Sequence, residues 1–316
     1  MPGEEIILNK KIIKKLFQKH LVLDGAMGTE LEKYGVQTDN NLWSAMALVK
    51  NPKAVINVHK SYLSAGANII ITDSYQANLK AFEREGLTRK QSQDLIRRSV
   101  YLAKIARAQF YREAYTKKPL LIAGSIGPYG AYLANGDEYS GNYHLTQKEY
   151  QDFHYSRMKI LANAGVDLFA FETQPKFEEV KALVSLLINK FPQLPAYISF
   201  SVDGKSKLCD GTSIIKAVQY FSNVPQIIAL GVNCTAIKNI EGLVELIKPD
   251  TSRPIIVYPN NGDIYDPVTK DWKESTQDLD LAELSKKWKR RGANIIGGCC
   301  RTTPKDIKNI SKMYPN

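Results

Sequence analysis

Two adjacent cysteines, Cys299 and Cys300, follow the glycines Gly297 and Gly298 at the end of an apolar run. Adjacent side chains of an extended strand point to opposite faces, so aiming both sulfurs at one point requires a sharp bend, which the glycines permit. A third cysteine, Cys234, also stands where an apolar run ends. Three protein ligands and one open position are typical of catalytic zinc, so this pattern predicts a zinc (Zn²⁺) site.

Two other interpretations of the cysteines stay open. Free cysteine is among the most buried residue types, so the three thiols could simply be packed in a core. A structural zinc site would need a fourth Cys or His. The chain has four cysteines, too few for a disulfide framework at this length. The fourth, Cys209, is expected to be a free thiol on a loop.

Composition limits the class of protein. The chain has 316 residues, of which 44% are hydrophobic and 24% charged, as is ordinary for a globular protein. Residues 1–19 contain no apolar core of a secretory signal, and no apolar run reaches membrane-spanning length. We therefore expect a cytoplasmic protein with no membrane partner.

The formal charge of +11 raises a different class of function, a non-catalytic nucleic-acid-binding protein. Its basic residues lie in stretches such as 10–16 and 286–291, where apolar residues recur between them at helical spacing. These are expected to be solvated outer faces of helices. No nucleic-acid recognition motif accompanies them, so no nucleic-acid partner is predicted.

Eight short apolar runs predict eight strands, and helical periodicity fills most of the intervals. Strands that are apolar throughout and alternate with helices indicate a parallel sheet covered by helices. We therefore predict a single (β/α)8 TIM barrel domain over residues 1–316, with the site at the carboxyl ends of its strands. An open doubly wound sheet is the alternative, weakened by the lack of a GxGxxG motif after the first run. The predicted strands are residues 21–23, 68–71, 120–123, 168–171, 196–200, 226–230, 254–257 and 294–296, and the clearest predicted helices are 55–63, 91–110, 148–163, 177–188 and 279–290.

Polar and glycine-rich segments follow these runs, where the chemistry of a barrel lies. The turn at residues 24–29 could bring backbone N–H groups to an anion such as a carboxylate. Glu172, at the end of the fourth run, could hold an ammonium group or form a structural pair with Arg301. The long segment 124–141 is a candidate wall or lid of a pocket.

These segments resemble the homocysteine-binding domain of the zinc-dependent homocysteine S-methyltransferases. The resemblance rests on Asp24-Gly-Ala-Met-Gly-Thr, Gly231-Val-Asn-Cys and Gly297-Gly-Cys-Cys-Arg-Thr-Thr-Pro, and it extends over residues 21–310. It implies a zinc ion held by Cys234, Cys299 and Cys300, with the homocysteine thiolate as fourth ligand. The residues that it assigns to homocysteine are Asp24, Gly25, Met27, Gly28, Thr29, Glu172 and Asn233.

Within that family, Ser74-Tyr-Gln-Ala and Gly124-Ser-Ile-Gly-Pro-Tyr-Gly resemble the branch whose methyl donor is S-methylmethionine or S-adenosylmethionine. Asp73 departs from the pattern of this branch, in which a small or hydroxyl-bearing residue is expected at that position. Aromatic faces attract a sulfonium cation. The candidate donor pocket is Trp43, Ser74, Tyr75 and Tyr129. Betaine is the second-ranked donor.

Overall fold

The computed structural model describes residues 9–37, 42–266, 271–273 and 280–314, without the side chains of residues 43, 264–266 and 271–273. Its strands are β1 (Leu21–Val22), β2 (Ile69–Ile71), β3 (Leu121–Ile126), β4 (Leu168–Gln174), β5 (Ala196–Phe200), β6 (Ile227–Asn233), β7 (Ile255–Tyr258), β8 (Ile264–Asp266), β9 (Asp271–Lys273) and β10 (Ala293–Ile296). Eight of them form a parallel sheet in the order β1-β10-β7-β6-β5-β4-β3-β2. All eight predicted strands are therefore present.

The two ends of this sheet meet and close it into a barrel. A parallel bridge joins Leu23 to Ile69. The N–H of Asn68 donates to the Val22 carbonyl at 2.7 Å, and that of Asp24 donates to the Ile69 carbonyl at 3.0 Å. The prediction of a (β/α)8 barrel is confirmed, and the open doubly wound alternative is wrong.

Helices cover the barrel from outside. They are α1 (Lys10–Phe17), α2 (Met27–Glu32), α3 (Ala47–Lys50), α4 (Pro52–Ser64), α5 (Leu79–Arg84), α6 (Arg89–Ala114), α7 (Tyr129–Leu133), α8 (Asp137–Ser140), α9 (Gln147–Ala164), α10 (Phe177–Lys190), α11 (Ile214–Ser222), α12 (Ile240–Ile247), α13 (Leu281–Arg291) and α14 (Pro304–Ser311). Short 3-10 turns lie at Trp43–Met46, Ile237–Asn239 and Lys248–Asp250. Each of the five predicted helices is present within a few residues, although the predicted start at Leu279 lies outside the described residues.

The hairpin of β8 and β9 is one element that the sequence did not predict. Its two strands pair antiparallel between β7 and α13. In the described part of the chain, no helix is both long and apolar enough to cross a membrane.

The barrel interior and the layer between barrel and helices form separate apolar cores. Alternation along the strands produces this division, because successive side chains face opposite sides of the sheet. In β4, Leu168 and Ala170 face the interior, whereas Phe169 and Phe171 face the helices. The next inward-facing position on β4 is Glu172. The alternation along the strand therefore places this glutamate side chain inside the barrel mouth.

Helix α1 closes the amino-terminal end of the barrel. Its residues Ile13 and Phe17 stand four apart, on one helix face. They are 1% and 0% exposed and belong to the interior core. The Asn9 side chain caps the helix by accepting from the N–H of Ile12 at 3.0 Å. The basic residues of this helix lie mainly on its other faces, as the sequence predicts for its lysines.

Replacing Phe17 with alanine should lower the free energy of unfolding by about 3 to 5 kcal/mol, because it empties a site inside a rigid barrel. Urea denaturation of the reduced protein measures this change. Ile12→Ala is the matched control, since Ile12 on the same helix is 40% exposed. Equal stabilities of the two variants would contradict a sealing role for α1.

Candidate functional site

The three predicted metal ligands converge at the carboxyl end of the barrel. Cys234 follows β6 and Cys299 follows β10, and β7 lies between these strands in the sheet. The end of β7 accepts a backbone hydrogen bond from each of the two cysteines. The N–H of Cys234 donates to the Tyr258 carbonyl at 3.1 Å, and that of Cys299 donates to the Pro259 carbonyl at 2.7 Å. The Cα atoms of the two cysteines are consequently 5.5 Å apart.

The turn that carries Cys299 and Cys300 depends on close packing at Gly298. A Cβ atom there would lie 2.2 Å from the Thr302 hydroxyl oxygen, too close for any other residue. That hydroxyl donates to the Cys299 carbonyl at 2.6 Å and accepts from the Ala26 N–H at 3.2 Å. Thr302 thus closes the cysteine turn and connects it to the turn after β1.

The cysteine sulfurs fit a metal ion in their reduced state. The sulfurs of Cys234 and Cys299 form a disulfide, and Cys300 is a free thiol beside them. All three sulfurs lie within 4.8 Å of one another. Three sulfurs at 2.3 Å from one tetrahedral zinc ion stand about 3.8 Å apart, a spacing compatible with three sulfurs that lie within 4.8 Å of one another. The sequence did not predict the disulfide, which follows from the meeting of two strand ends 65 residues apart in the chain.

Cys300 is protonated when no metal is present. Burial raises the pKa of its thiol to about 12, and the charges of Glu138 and Glu172 contribute. A bound cation favours the thiolate, so metal uptake at this site must release protons. Cys209 is a free thiol, with its sulfur 3.5 Å from the Ser201 hydroxyl.

Glu172 lies in a hydrogen-bonded polar layer at the barrel mouth, which we call the polar floor (Ser125, Glu172, Ser199 and Tyr258). The Ser125 hydroxyl donates to one carboxylate oxygen of Glu172, and the Tyr258 hydroxyl donates to the other at 3.3 Å. The hydroxyls of Ser199 and Tyr258 are also hydrogen-bonded. Burial raises the pKa of Glu172 to about 7, although both hydrogen bonds act in the opposite direction.

The alternative pairing of Glu172 with Arg301 does not form. The Arg301 side chain instead contacts Asp263 at 3.2 Å and Glu32 at 3.6 Å. The second predicted carboxylate, Asp24, accepts from the Ile71 N–H at 2.8 Å and is 3% exposed. Burial raises the pKa of Asp24 well above its usual range, and the charge of Glu172 adds to the effect. The two carboxyl groups therefore carry less than two negative charges near neutral pH.

The other predicted residues of the first turn adjoin the cysteines. The Thr29 hydroxyl accepts from the Arg301 N–H at 3.2 Å, directly after Cys300. A Cβ atom at Gly25 would lie 2.8 Å from the Tyr62 ring. Gly28 is buried in α2, and Met27 packs against the outer core. Contacts of this turn with a ligand stay predictions.

Asn233 connects the ends of β4 and β6. Its side-chain oxygen accepts from the Thr173 N–H at 2.8 Å, and its amide donates to the Thr173 hydroxyl at 2.7 Å. Thr173 and Cys234 both have left-handed backbones, with φ of 55° and 47°. Such residues cost about 1 to 3 kcal/mol each and persist only where neighbours hold them. The amide of Asn233 holds this arrangement, and its predicted contact with homocysteine stays a prediction.

The four donor-pocket candidates have different surroundings. The Tyr75 hydroxyl is buried, and burial followed by the charge of Glu138 raises its pKa well above the usual range. Ser74 is fully buried, and its hydroxyl donates to the Ser125 carbonyl at 2.9 Å. Tyr129 lines a neighbouring cleft with Tyr143. The side chain of Trp43 lies outside the described residues.

Sequence reasoning missed a buried ionic network behind this wall. Arg157 donates to the Tyr75 carbonyl at 2.9 Å and to the Gly127 carbonyl at 2.6 Å. Glu179 accepts from the Tyr129 N–H at 2.6 Å and contacts His154 at 2.7 Å. These interactions fix the segments after β2 and β3. The only available signal was a charged residue at a core-facing helix position, which the helical periodicity of α9 could have identified.

Asn233→Ala should lower the free energy of unfolding by about 2 to 3 kcal/mol, because it removes two buried hydrogen bonds and leaves the Thr173 N–H without an acceptor. The measurement is urea denaturation of the reduced, metal-free protein. Asn223→Ala provides the comparison, since Asn223 is exposed and its side chain donates to the Gln219 carbonyl of the adjoining helix α11 at 3.1 Å. It should change stability by no more than about 0.5 kcal/mol. Wild-type stability of the Asn233 variant would exclude this role.

Comparison with known proteins agrees with this geometry. The profile of the homocysteine S-methyltransferase family matches residues 21–314. The homocysteine S-methyltransferase of Escherichia coli is 45% identical over 291 residues, covering 92% of this chain and 94% of its own. Homocysteine S-methyltransferase 2 of Arabidopsis thaliana is 41% identical, covering 94% and 93%.

Solved structures show the same relationship. The homocysteine methyltransferase MmuM of Escherichia coli in its metallated form superimposes with a TM-score of 0.87 at 41% identity, over 96% of this chain and 100% of its own. The oxidized form of the same enzyme gives a TM-score of 0.84 at 42% identity, over 93% and 96%. A barrel with three converging cysteines, matched along almost its full length by these enzymes, belongs to the homocysteine S-methyltransferase family.

Proposed function

We propose that this protein transfers a methyl group from S-methylmethionine to the thiol of L-homocysteine, and that it depends on zinc held by Cys234, Cys299 and Cys300. The observation that carries the proposal is the convergence of these three sulfurs within 4.8 Å at the carboxyl end of the barrel, where β4 ends in the buried Glu172. Zinc bound there would ionise the homocysteine thiol while leaving its sulfur electron-rich, because three thiolates bring the site to a formal charge of about −1.

The protein's own residues orient the amino acid. Glu172 ends the inward-facing row of β4, and two hydroxyls hold its oxygens, so an ammonium group above the polar floor meets a fixed carboxylate. Oriented reactants avoid much of the entropic cost of a bimolecular step. The backbone N–H groups of the turn after β1 are the counterpart for the substrate carboxylate.

The buried barrel mouth favours a sulfonium donor. Transfer breaks the bond between the methyl carbon and the sulfonium sulfur and forms one to the homocysteine sulfur, so a cation and an anion become two neutral thioethers. Each turnover on S-methylmethionine yields two methionines, in keeping with a role in methionine biosynthesis. Loss of charge is favoured where water is excluded. The predicted cytoplasmic location stays a prediction.

A donor panel tests the function. Methionine formation on zinc-loaded, reduced protein should be fastest, by kcat/KM, with S-methylmethionine. S-Adenosylmethionine should be slower because its ribose and adenine need space for which the chain carries no nucleotide motif. Betaine and methyl folate should be inert. A preference for betaine would move the chain to another branch of the family, and DNA binding without turnover on any donor would favour the nucleic-acid alternative.

Each of Cys234→Ser, Cys299→Ser and Cys300→Ser should lose bound zinc and nearly all transfer activity while keeping the barrel folded. Zinc content by atomic spectroscopy and circular dichroism separate loss of metal from loss of fold. Cys209→Ser is the control and should retain both zinc and activity, because its sulfur contacts the Ser201 hydroxyl and is not one of the three converging sulfurs. Full zinc occupancy in the Cys299 variant would remove the basis of the proposal.

Glu172→Gln should weaken amino-acid binding by about 10- to 150-fold, since it removes a charge-assisted interaction worth about 1.5 to 3 kcal/mol. The pKa of about 7 adds a pH signature. Below pH 7 the carboxyl gains a proton and can no longer pair with an ammonium, so wild-type affinity should fall as pH decreases from 7 to 5.5.

Methionine is the appropriate probe, because it lacks a titrating thiol, and calorimetry measures its affinity. The Glu172→Gln profile should be flat over the same pH range. If methionine affinity changed with pH in parallel for the two proteins, the role of Glu172 would be purely structural.

A further inference from the structure

The side chain of Tyr62 joins two turns at the carboxyl end of the barrel, the turn after β1 (residues 24–29) and the cysteine turn (residues 299–302). Its hydroxyl lies 2.9 Å from the Ala26 carbonyl oxygen and 3.1 Å from the Thr302 carbonyl oxygen, and the single proton is shared between them. Tyr62 is 0% exposed, so water does not compete for these bonds. One buried phenol therefore contacts both halves of the candidate site.

Close packing fixes the phenol between the two turns. A Cβ atom at Gly25 would lie 2.8 Å from the Tyr62 ring, 3.0 Å from its hydroxyl oxygen and 2.9 Å from the Thr302 hydroxyl oxygen, so the approach requires glycine at this position. Helix α4, which carries Tyr62, packs against α2 and α14, the helices that leave the two turns. The position of the hydroxyl is therefore set by the helical layer as well as by its hydrogen bonds.

Other hydrogen bonds between the two turns are direct. The Gly298 N–H donates to the Asp24 carbonyl at 3.0 Å, and the Arg301 N–H donates to the Thr29 hydroxyl at 3.2 Å. These bonds hold the turns to each other. Tyr62 differs because it belongs to a third element, α4, and so fixes the position of both turns against the body of the barrel.

The separation of the two turns matters for a ligand that contacts both. In the proposed reaction the homocysteine carboxylate meets the turn after β1, and the homocysteine sulfur meets the metal held by Cys299 and Cys300 of the cysteine turn and by Cys234. A molecule of fixed length makes both contacts at full strength only if their distance is set before it binds. Ligands that contact a single turn have no such requirement.

From these contacts we propose that Tyr62 is a positioning residue that sets the distance between the amino-acid head and the metal, so that the homocysteine sulfur reaches zinc; this proposal rests on the proposed function. Tyr62 acts through the two turns that its hydroxyl contacts. Without that hydroxyl each turn can still bind its own ligand, but the two contacts no longer match the length of one molecule. The defect is therefore expected in a ligand that spans both turns.

Three probes separate these contacts in the reduced protein. Zinc alone tests the cysteines, and norvaline, in which a methyl group replaces the thiol of homocysteine, tests the turn after β1 in the zinc-loaded protein. Homocysteine tests both together. Tyr62→Phe should weaken homocysteine binding by about 10-fold, because a buried hydrogen bond is lost, while the dissociation constants of zinc and norvaline change by no more than about twofold. Calorimetry measures the two amino acids, and competition with a chromophoric chelator measures zinc.

Tyr111→Phe is the matched control. The Tyr111 hydroxyl also bonds to backbone groups, donating to the Lys118 carbonyl at 2.9 Å and accepting from the Leu120 N–H at 3.1 Å, but these groups lie before β3, at the other end of the barrel. This variant should bind all three probes as wild type does. Replacing Tyr62 with p-aminophenylalanine, whose amine has two N–H donors for the two carbonyls, should restore most of the homocysteine affinity that Tyr62→Phe loses.

Unchanged homocysteine affinity in Tyr62→Phe would overturn the proposal. So would a loss for zinc or for norvaline as large as the loss for homocysteine, since Tyr62 would then support one turn or the fold as a whole. Failure of the proposed function appears separately, as a zinc-loaded wild-type protein that binds homocysteine no more tightly than norvaline, and that result removes both proposals.

Discussion

The hydrogen bonds from the end of β7 to both cysteine-bearing strand ends are the interactions on which the site depends. Through two consecutive carbonyls, those of Tyr258 and Pro259, one strand sets the positions of Cys234 and Cys299. The hydroxyl of Tyr258 also reaches Glu172, so the metal ligands and the polar floor share one support. Displacing β7, which is buried along its whole length, would therefore disturb metal binding and substrate orientation together.

The site also concentrates negative charge where a protein interior opposes it. The charges of Glu172 and Glu138 act on the Cys300 thiol, the Asp24 carbonyl accepts from the Gly298 N–H at 3.0 Å, and burial raises the pKa of all three carboxyl groups. These groups do not form ion pairs with Arg301, the basic residue nearest in sequence to the cysteines. A region that leaves acids unpaired is complementary to cations, and both amino acids of the proposed reaction carry them.

Much of this structure could be predicted from the sequence, for identifiable reasons. Strands such as β4 are buried on both faces and therefore read as apolar runs, and the left-handed glycines Gly66, Gly165 and Gly292 mark where helices return to strands. The sequence contains no comparable signal for which side chains of different strands contact one another. The support of Glu172 by Ser125 and Tyr258 depends on which inward positions fall at one level of the barrel, and that level is set by strand register. The Arg157 network depends likewise on which helix packs behind which loop.

The closure of the barrel has a consequence for the order of folding. The strand that precedes Cys299 and Cys300, β10, pairs with both β1 and β7, so it is the last strand in the chain to enter the barrel. Before β10 inserts, Cys234 and the adjacent pair Cys299 and Cys300 are not held together, so the three-ligand site does not exist. Binding of the ion by all three cysteines is thus coupled to completion of the barrel, so the free energy of three-ligand metal binding stabilises the closed fold.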